Sequence, residues 1–179
     1  MILGLDVSTS ITGVSIVGDD GKIVYCEVVD TRNKRLFPTL LFKAYVIKSK
    51  LEDIQRDYPI DEIFIEESLQ SFRSGFSSAK TLSTLSKING IISYIVWELW
   101  NREPEYVAST SARKLCGIKV PRGQKAKQVV LNYLLDTDPD FAVEYTSKGN
   151  PKPASYDRAD SLIIARAGLE ICRQRNLKS

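Results

Sequence analysis

Short apolar runs open the chain and longer helical repeats close it. Ile2 to Val7 reads as a strand, and Thr12 to Val17 as a second after a Ser/Thr turn. Asp19-Asp20-Gly21 is a hairpin signal leading into a third strand through Val29. From Leu36 to Tyr58 the apolar positions 40, 41, 44, 47, 51 and 54 recur at helical spacing. Pro38 is tolerable in the first turn of that helix and Pro59 ends it. Glu62 to Glu67 is a short Ile/Phe-rich fourth strand, and Leu69 to Phe76 a loop. Ser77 to Asn101 predicts a long helix with Ala79, Leu82, Leu85, Ile88, Ile92, Ile95 and Leu99 along one side. Ser78, Thr81, Thr84 and Gly90 lie opposite that stripe. Then follow a fifth strand at Glu105 to Ala108, a short helix at Thr110 to Leu115 and a basic loop from Gly117 to Gly123. A helix from Gln124 to Leu135, a polar connection from Asp136 to Pro153 and a last helix from about Ser155 complete the pattern. Without repeats or linkers, residues 1–179 predict one α/β domain. Its mixed five-stranded sheet has three antiparallel strands followed by parallel ones, flanked by helices.

Composition narrows the chemistry. A hydrophobic content of 43% with 26% charged residues is ordinary for a globular protein, and the net charge is only +3. Three widely spaced cysteines, odd in number and without metal-ligand spacing, suit a reduced cytoplasmic protein. No signal peptide is visible, since Met1 leads directly into a strand-like segment, and no apolar run could span a membrane. The chain has no histidine. That excludes Ser-His triads, histidine general bases and His-ligated zinc. Metal chemistry would rest on oxygen ligands, which suit magnesium, manganese or calcium.

Three separate elements end in acids. In Ile2-Leu3-Gly4-Leu5-Asp6-Val7, alternation puts Asp6 on the face of Ile2 and Gly4, opposite Leu3, Leu5 and Val7. Asp6 could simply cap the following turn. Glu66 and Glu67 close the fourth strand and point to opposite faces, so one can be directed at a site. Asp157 and Asp160 open the last helix three positions apart, above Ile164, Ala167 and Ile171. Taken alone they would be helix-capping aspartates. If the groups converge, their repulsion calls for divalent cations, and four carboxylates without histidine suit two magnesium ions.

The segments LGLDVSTSITGVSIV, IFIEES, ARKLCGIK and YDRADSLIIARAG, in that order over nearly the whole chain, resemble the RuvC family of Holliday junction resolvases in the ribonuclease H-like superfamily. The resemblance implies a ribonuclease H-like fold with Asp6, Glu66, Asp157 and Asp160 as ligands for two Mg2+ ions, with Mn2+ as an alternative. It prefers Glu66 to Glu67, makes Asp6 the bridging group and places Lys125 near the scissile phosphate as a further catalytic residue. It implies a homodimer that cuts opposite strands of a four-way DNA junction in recombination, repair or phage DNA processing, without a nucleotide cofactor. Val7-Ser8 stands where many bacterial members have Pro-Gly. Leu69 stands where they have an aromatic residue, with Phe72 and Phe76 following. A phage or otherwise divergent member fits these departures.

Arg113, Lys114, Lys119, Arg122, Lys125 and Lys127 cluster within fifteen positions. Such a run is commonly a solvated face. The last three open a helix, where its dipole disfavours cations and an external phosphate would relieve the conflict. Arg73 and Lys80 flank the Phe72/Phe76 loop, whose aromatics could stack on bases, pack in the core or meet a partner subunit. Three other readings share parts of the pattern: a ribonuclease H-like enzyme on RNA or RNA–DNA hybrids, a catalytically silent branched-DNA-binding module, and an actin- or sugar-kinase-like ATPase, whose D-x-S-T-S-x-T-G turn looks alike.

Overall fold

The computed structural model describes residues 1–67 and 79–178. Its strands are β1 (Ile2–Asp6), β2 (Ile11–Val17), β3 (Ile23–Asp30), β4 (Glu62–Glu66) and β5 (Glu105–Val107). Its helices are α1 (Leu40–Asp57), α2 (Ala79–Trp100), α3 (Ser109–Leu115), α4 (Ala126–Thr137) and α5 (Pro153–Asn176). The five strands form one sheet in the order β3-β2-β1-β4-β5. The β1–β2 and β2–β3 pairs are antiparallel, β1–β4 and β4–β5 parallel, as the strand pattern predicts.

Local chemistry explains most boundaries. Gly21 takes a positive φ of 81° in the β2–β3 turn, and the Lys22 amide donates to the Asp20 carboxylate at 3.0 Å. α1 begins at Leu40, later than the apolar pattern suggests. Thr39 caps it by accepting a hydrogen bond from the Phe42 amide at 3.1 Å, so Pro38 lies outside the helix. α5 begins earlier than Ser155, with Pro153 in its first turn. Proline has no N–H to lose there and its φ is already helical.

Strand alternation divides the core in two. Leu3, Leu5, Val14, Ile16, Ile63 and Ile65 face α1 and α2, meeting Ile47, Leu51, Ile88 and Ile92. Ile2, Val17, Phe64 and Val107 face the other way, against Leu131 and Leu134 of α4 and Leu162 and Ile164 of α5. α5 is the centre of its layer and is buried nearly all round between Ser161 and Leu169. It lies directly on the strand backbones. A Cβ on Gly4 would overlap the backbone of Ser161 and Ala165, and one on Gly13 would overlap the Asp157 carbonyl. Among the described residues no helix is long and apolar enough to cross a membrane.

Candidate active site

Two carboxylates meet because two parallel strands end together. The β1–β4 register pairs Gly4 with Phe64 and Leu5 with Ile65, so Asp6 and Glu66 come next, side by side. Both point to the α5 face, since their neighbours Leu5 and Ile65 point to the other. The Asp6 carboxyl donates to the Glu66 carboxylate, which also accepts from the Ser109 hydroxyl at the start of α3. Glu67 lies past the end of β4, so alternation no longer governs it, and it lines the same cavity as Glu66.

α5 supplies the third side. Its start at Pro153 moves Asp157 and Asp160 out of the first turn, which contains no acid. The capping role is thereby excluded, because the first-turn amides lie a turn away. Gly13, the register partner of Asp6, sits beneath the Asp157 carbonyl. A buried hydrogen bond of 2.7 Å between the Ser15 and Ser161 hydroxyls ties the next turn of the helix to β2. Asp160 therefore faces Asp6 and Glu66 across a cavity of about 330 Å³ that Ser8, Asn89, Arg113 and Lys127 also line. Asp157 stands one turn away, outside that lining, and joins the group through Lys127.

Lys127 holds the cluster's positive charge. Its Nζ lies 3.2 Å from Asp157 Oδ1 and 3.0 Å from Asp160 Oδ2. Burial works against its charge, but Asp160, Asp157 and Asp6 together hold the ammonium well above the usual lysine range. Burial, then the charges of Glu66 and Asp160, push the Asp6 carboxyl well above its ordinary value. Burial and Asp160 also push Glu66 up, and burial raises Asp157 despite Lys127. Burial and mutual repulsion thus oppose ionisation of Asp6 and Glu66, while a lysine sits on the other two acids.

Among the described residues no group of three or more His, Cys, Asp or Glu side chains is arranged so that it could hold a metal ion. The donor chemistry nevertheless fits a hard divalent cation: only oxygens, converging from three elements, with an excess of negative charge. Lys127 supplies positive charge within the cluster itself.

The basic residues surround the mouth unevenly. Arg113 lines both the acidic cavity and a neighbouring one of about 290 Å³, which Lys114 and Lys119 share. Lys119, Arg122 and Lys125 are exposed on the loop before α4, with Lys125 at its N-cap. Lys125 is outside the cavity lining; Lys127, two positions further, is the lysine that reaches the carboxylates. Lys80 is exposed on the first turn of α2. Arg73, Leu69, Phe72 and Phe76 lie outside the described residues. Arg158, which a helix-face reading makes a spacer between the two aspartates, is buried at 8% exposure, with Nε and Nη2 lacking a partner among the described residues.

Two site residues had little signal in the sequence. Asn89 sits among Ile88, Ile92 and Ile95 on the buried side of α2. Its Nδ2 donates to the Glu66 backbone carbonyl at 3.3 Å, while its buried Oδ1 has no partner among the described residues. A polar residue interrupting an apolar stripe was the available clue. Ser109 had none beyond its place at a helix start.

No family model matches the chain, and no curated protein matches it in sequence. Solved structures do. Thermus thermophilus RuvC in complex with a Holliday junction substrate has a TM-score of 0.67, covering 97% of this chain and 95% of that one at 14% identity. A second T. thermophilus RuvC structure has a TM-score of 0.61 at 17% identity, covering 97% and 96%. The yeast mitochondrial Holliday junction resolvase Ydc2 has a TM-score of 0.60 at 14% identity, covering 98% of this chain and 82% of its own. Sheet order, helix cover and near-complete overlap agree: this chain has the RuvC-type, ribonuclease H-like resolvase fold.

Proposed function

We propose that this chain is a divalent-metal-dependent endonuclease of the RuvC type, a single nuclease domain that cuts four-way and related branched DNA as a homodimer. One observation carries the reading. Asp6 and Glu66 stand side by side at the carboxyl ends of adjacent parallel strands, and Asp160 faces them from α5. The titles of the similar structures, a RuvC bound to a Holliday junction and a mitochondrial resolvase, support branched DNA as the substrate class. Asp6, Glu66, Asp157 and Asp160 would hold two Mg2+ ions, or Mn2+. Such ions supply Lewis-acid polarisation of a phosphate and acidification of water.

The chain's own groups do the rest. Asp6 bridges the two halves of the ligand set, because it lies between Glu66 on β4 and the α5 aspartates. Ser109 and Asn89 hold Glu66 in place through its carboxylate and its backbone carbonyl. Arg113, at the junction of the two cavities, leads the backbone of a bound strand from the acidic centre towards Lys114 and Lys119. Lys125 and Arg122 hold a phosphate at the start of α4, where the helix's free amides favour an anion. Lys80 extends the same basic track on the α2 side.

The test is cleavage of a synthetic immobile four-way junction, beside linear duplex, single strand and an RNA–DNA hybrid. Paired, symmetry-related nicks that require Mg2+ are expected on the junction alone. Asp6→Asn should bind the junction and leave it uncut, since binding rests mainly on phosphate contacts. Cutting of the hybrid in preference to the junction would overturn the substrate class. Full activity of Asp6→Asn would overturn the site.

A further inference from the structure

A lysine seated in an acidic centre relieves the repulsion of the acids and competes with any other cation for their oxygens. Lys127 comes from α4, a different element from every carboxylate it meets. Its side chain is 58% exposed, whereas those of Asp157 and Asp160 are 17% and 15% exposed. The ammonium therefore reaches the acids from the solvent side, and nothing about its stem traps it beneath them. Among the described residues it is the cation ion-paired to either α5 aspartate. Arg113, the other cation lining the cavity, forms no ion pair with them among the described residues.

We propose that Lys127 is a displaceable counter-cation: its ammonium neutralises Asp157 and Asp160 in the unloaded site and withdraws when a divalent ion takes the same oxygens. This rests on the metal reading of the site. A divalent ion on Asp160 Oδ2 and the ammonium would repel each other strongly at such distances, which favours withdrawal of the lysine. The consequence is a built-in threshold. The ion that takes Asp160 must first release the lysine, so its affinity is lower than the carboxylates alone would give. The freed ammonium stands at the cavity mouth with three donors, placed to take a phosphate oxygen of the incoming strand. Loading of the ion and capture of the strand would then favour each other.

The test measures metal binding to the full chain without DNA, by the loss of the free Mn2+ paramagnetic resonance signal. Wild type, Lys127→Gln, Lys127→Arg and Asp160→Asn are compared, with circular dichroism confirming the fold of each. Lys127→Gln is expected to bind Mn2+ about tenfold more tightly than wild type, equivalent to about 1.4 kcal/mol. Lys127→Arg, which keeps the charge, should stay near wild type. Unchanged or weaker binding by Lys127→Gln would overturn the proposal while leaving the metal site intact. Absence of any saturable Mn2+ binding that Asp160→Asn removes would overturn the metal reading itself. A second measurement needs no variant: reductive methylation of wild-type Lys127, followed by mass spectrometry, should quicken when Mg2+ saturates the site. A rate indifferent to bound Mg2+ would show that the lysine does not move, and would overturn the proposal.

Discussion

Asp157 and Asp160 differ by three positions on one helix, yet their surroundings separate them. Asp160 lines the cavity with Asp6 and Glu66, whereas Asp157 reaches it through Lys127 alone. Asp160→Asn should therefore reduce junction cleavage below detection. Asp157→Asn should leave a slow residual rate, about 10–100-fold under wild type, because Asp157 stands at the edge of the ligand set. Single-turnover cleavage separates the two, and equal losses would contradict the placement. Asn89 gives a sharper case. Its buried Oδ1 has no partner among the described residues; a carbonyl oxygen left unpaired costs about 1–3 kcal/mol, which an apolar residue of similar size avoids. Asn89→Leu should hence unfold at a temperature no lower than wild type in chelator, apart from the small loss of the Glu66 backbone contact. Cleavage should nevertheless fall about tenfold or more, because that contact helps position the end of β4. A stable variant with full activity would make Asn89 merely a packing residue.

At the scale of elements, the decisive object is the contact between α5 and the β1–β2 backbones. Gly13 pairs with Asp6 on one side and lies against the Asp157 carbonyl on the other, so one residue sets the height of the helix above the sheet. An added methyl would strike the Asp157 carbonyl and the Ser161 Cβ, neither of which can rotate away. Gly13→Ala should lose about 1–3 kcal/mol in urea unfolding. Its cleavage rate should drop about a hundredfold even where it is fully folded, because displacement of α5 by about 1 Å misplaces two of the carboxylates. A loss of stability alone would leave the positioning argument unsupported. The same contact explains what was legible in the sequence. The strands, their order of direction and the face that Asp6 shares with Ile2 and Gly4 followed from alternation and turn residues, which are local properties. The start of α5 did not. Ser155 looks like a cap, but Pro153 already has helical φ, and the two-residue shift turns Asp157 and Asp160 from capping groups into site groups. Lys127 and Arg158 were misleading for the opposite reason. Charged residues read as surface, and only packing reveals that one turns towards the acids and the other is buried. Asn89 needed the position of Glu66, which no window of α2 contains.

Across the whole molecule, a small net charge of +3 hides a separation of signs. Acids are gathered at the carboxyl ends of β1 and β4, and basic side chains from α3 and the loop before α4 stand around them. The central acids resist ionisation, and that makes stability depend on pH in a direction unusual for carboxylates. Asp6, Glu66 and Asp157 all have raised values in the folded chain, each chiefly through burial. The folded state thus binds more protons than the unfolded one once the pH passes the ordinary carboxylate range, about 4. Their stabilising contribution is full below that range and is lost as the pH rises through the raised folded values. Asp20, Asp30, Glu105 and Glu144 are lowered by their hydrogen bonds and work the other way, but their contribution is already complete above about pH 5. In chelator the thermal midpoint should therefore fall as the pH is raised from mildly acidic to neutral. Asp6→Asn, which cannot ionise, should flatten most of that slope and be more stable than wild type at neutral pH. Saturating Mg2+ should flatten it in wild type, since a cation beside the acids favours their charged form. Differential scanning fluorimetry over that pH range, with and without Mg2+, checks all three. A midpoint that climbs towards neutrality in chelator would mean that the acids do not crowd one another, and the convergence on which the site depends would fall with it.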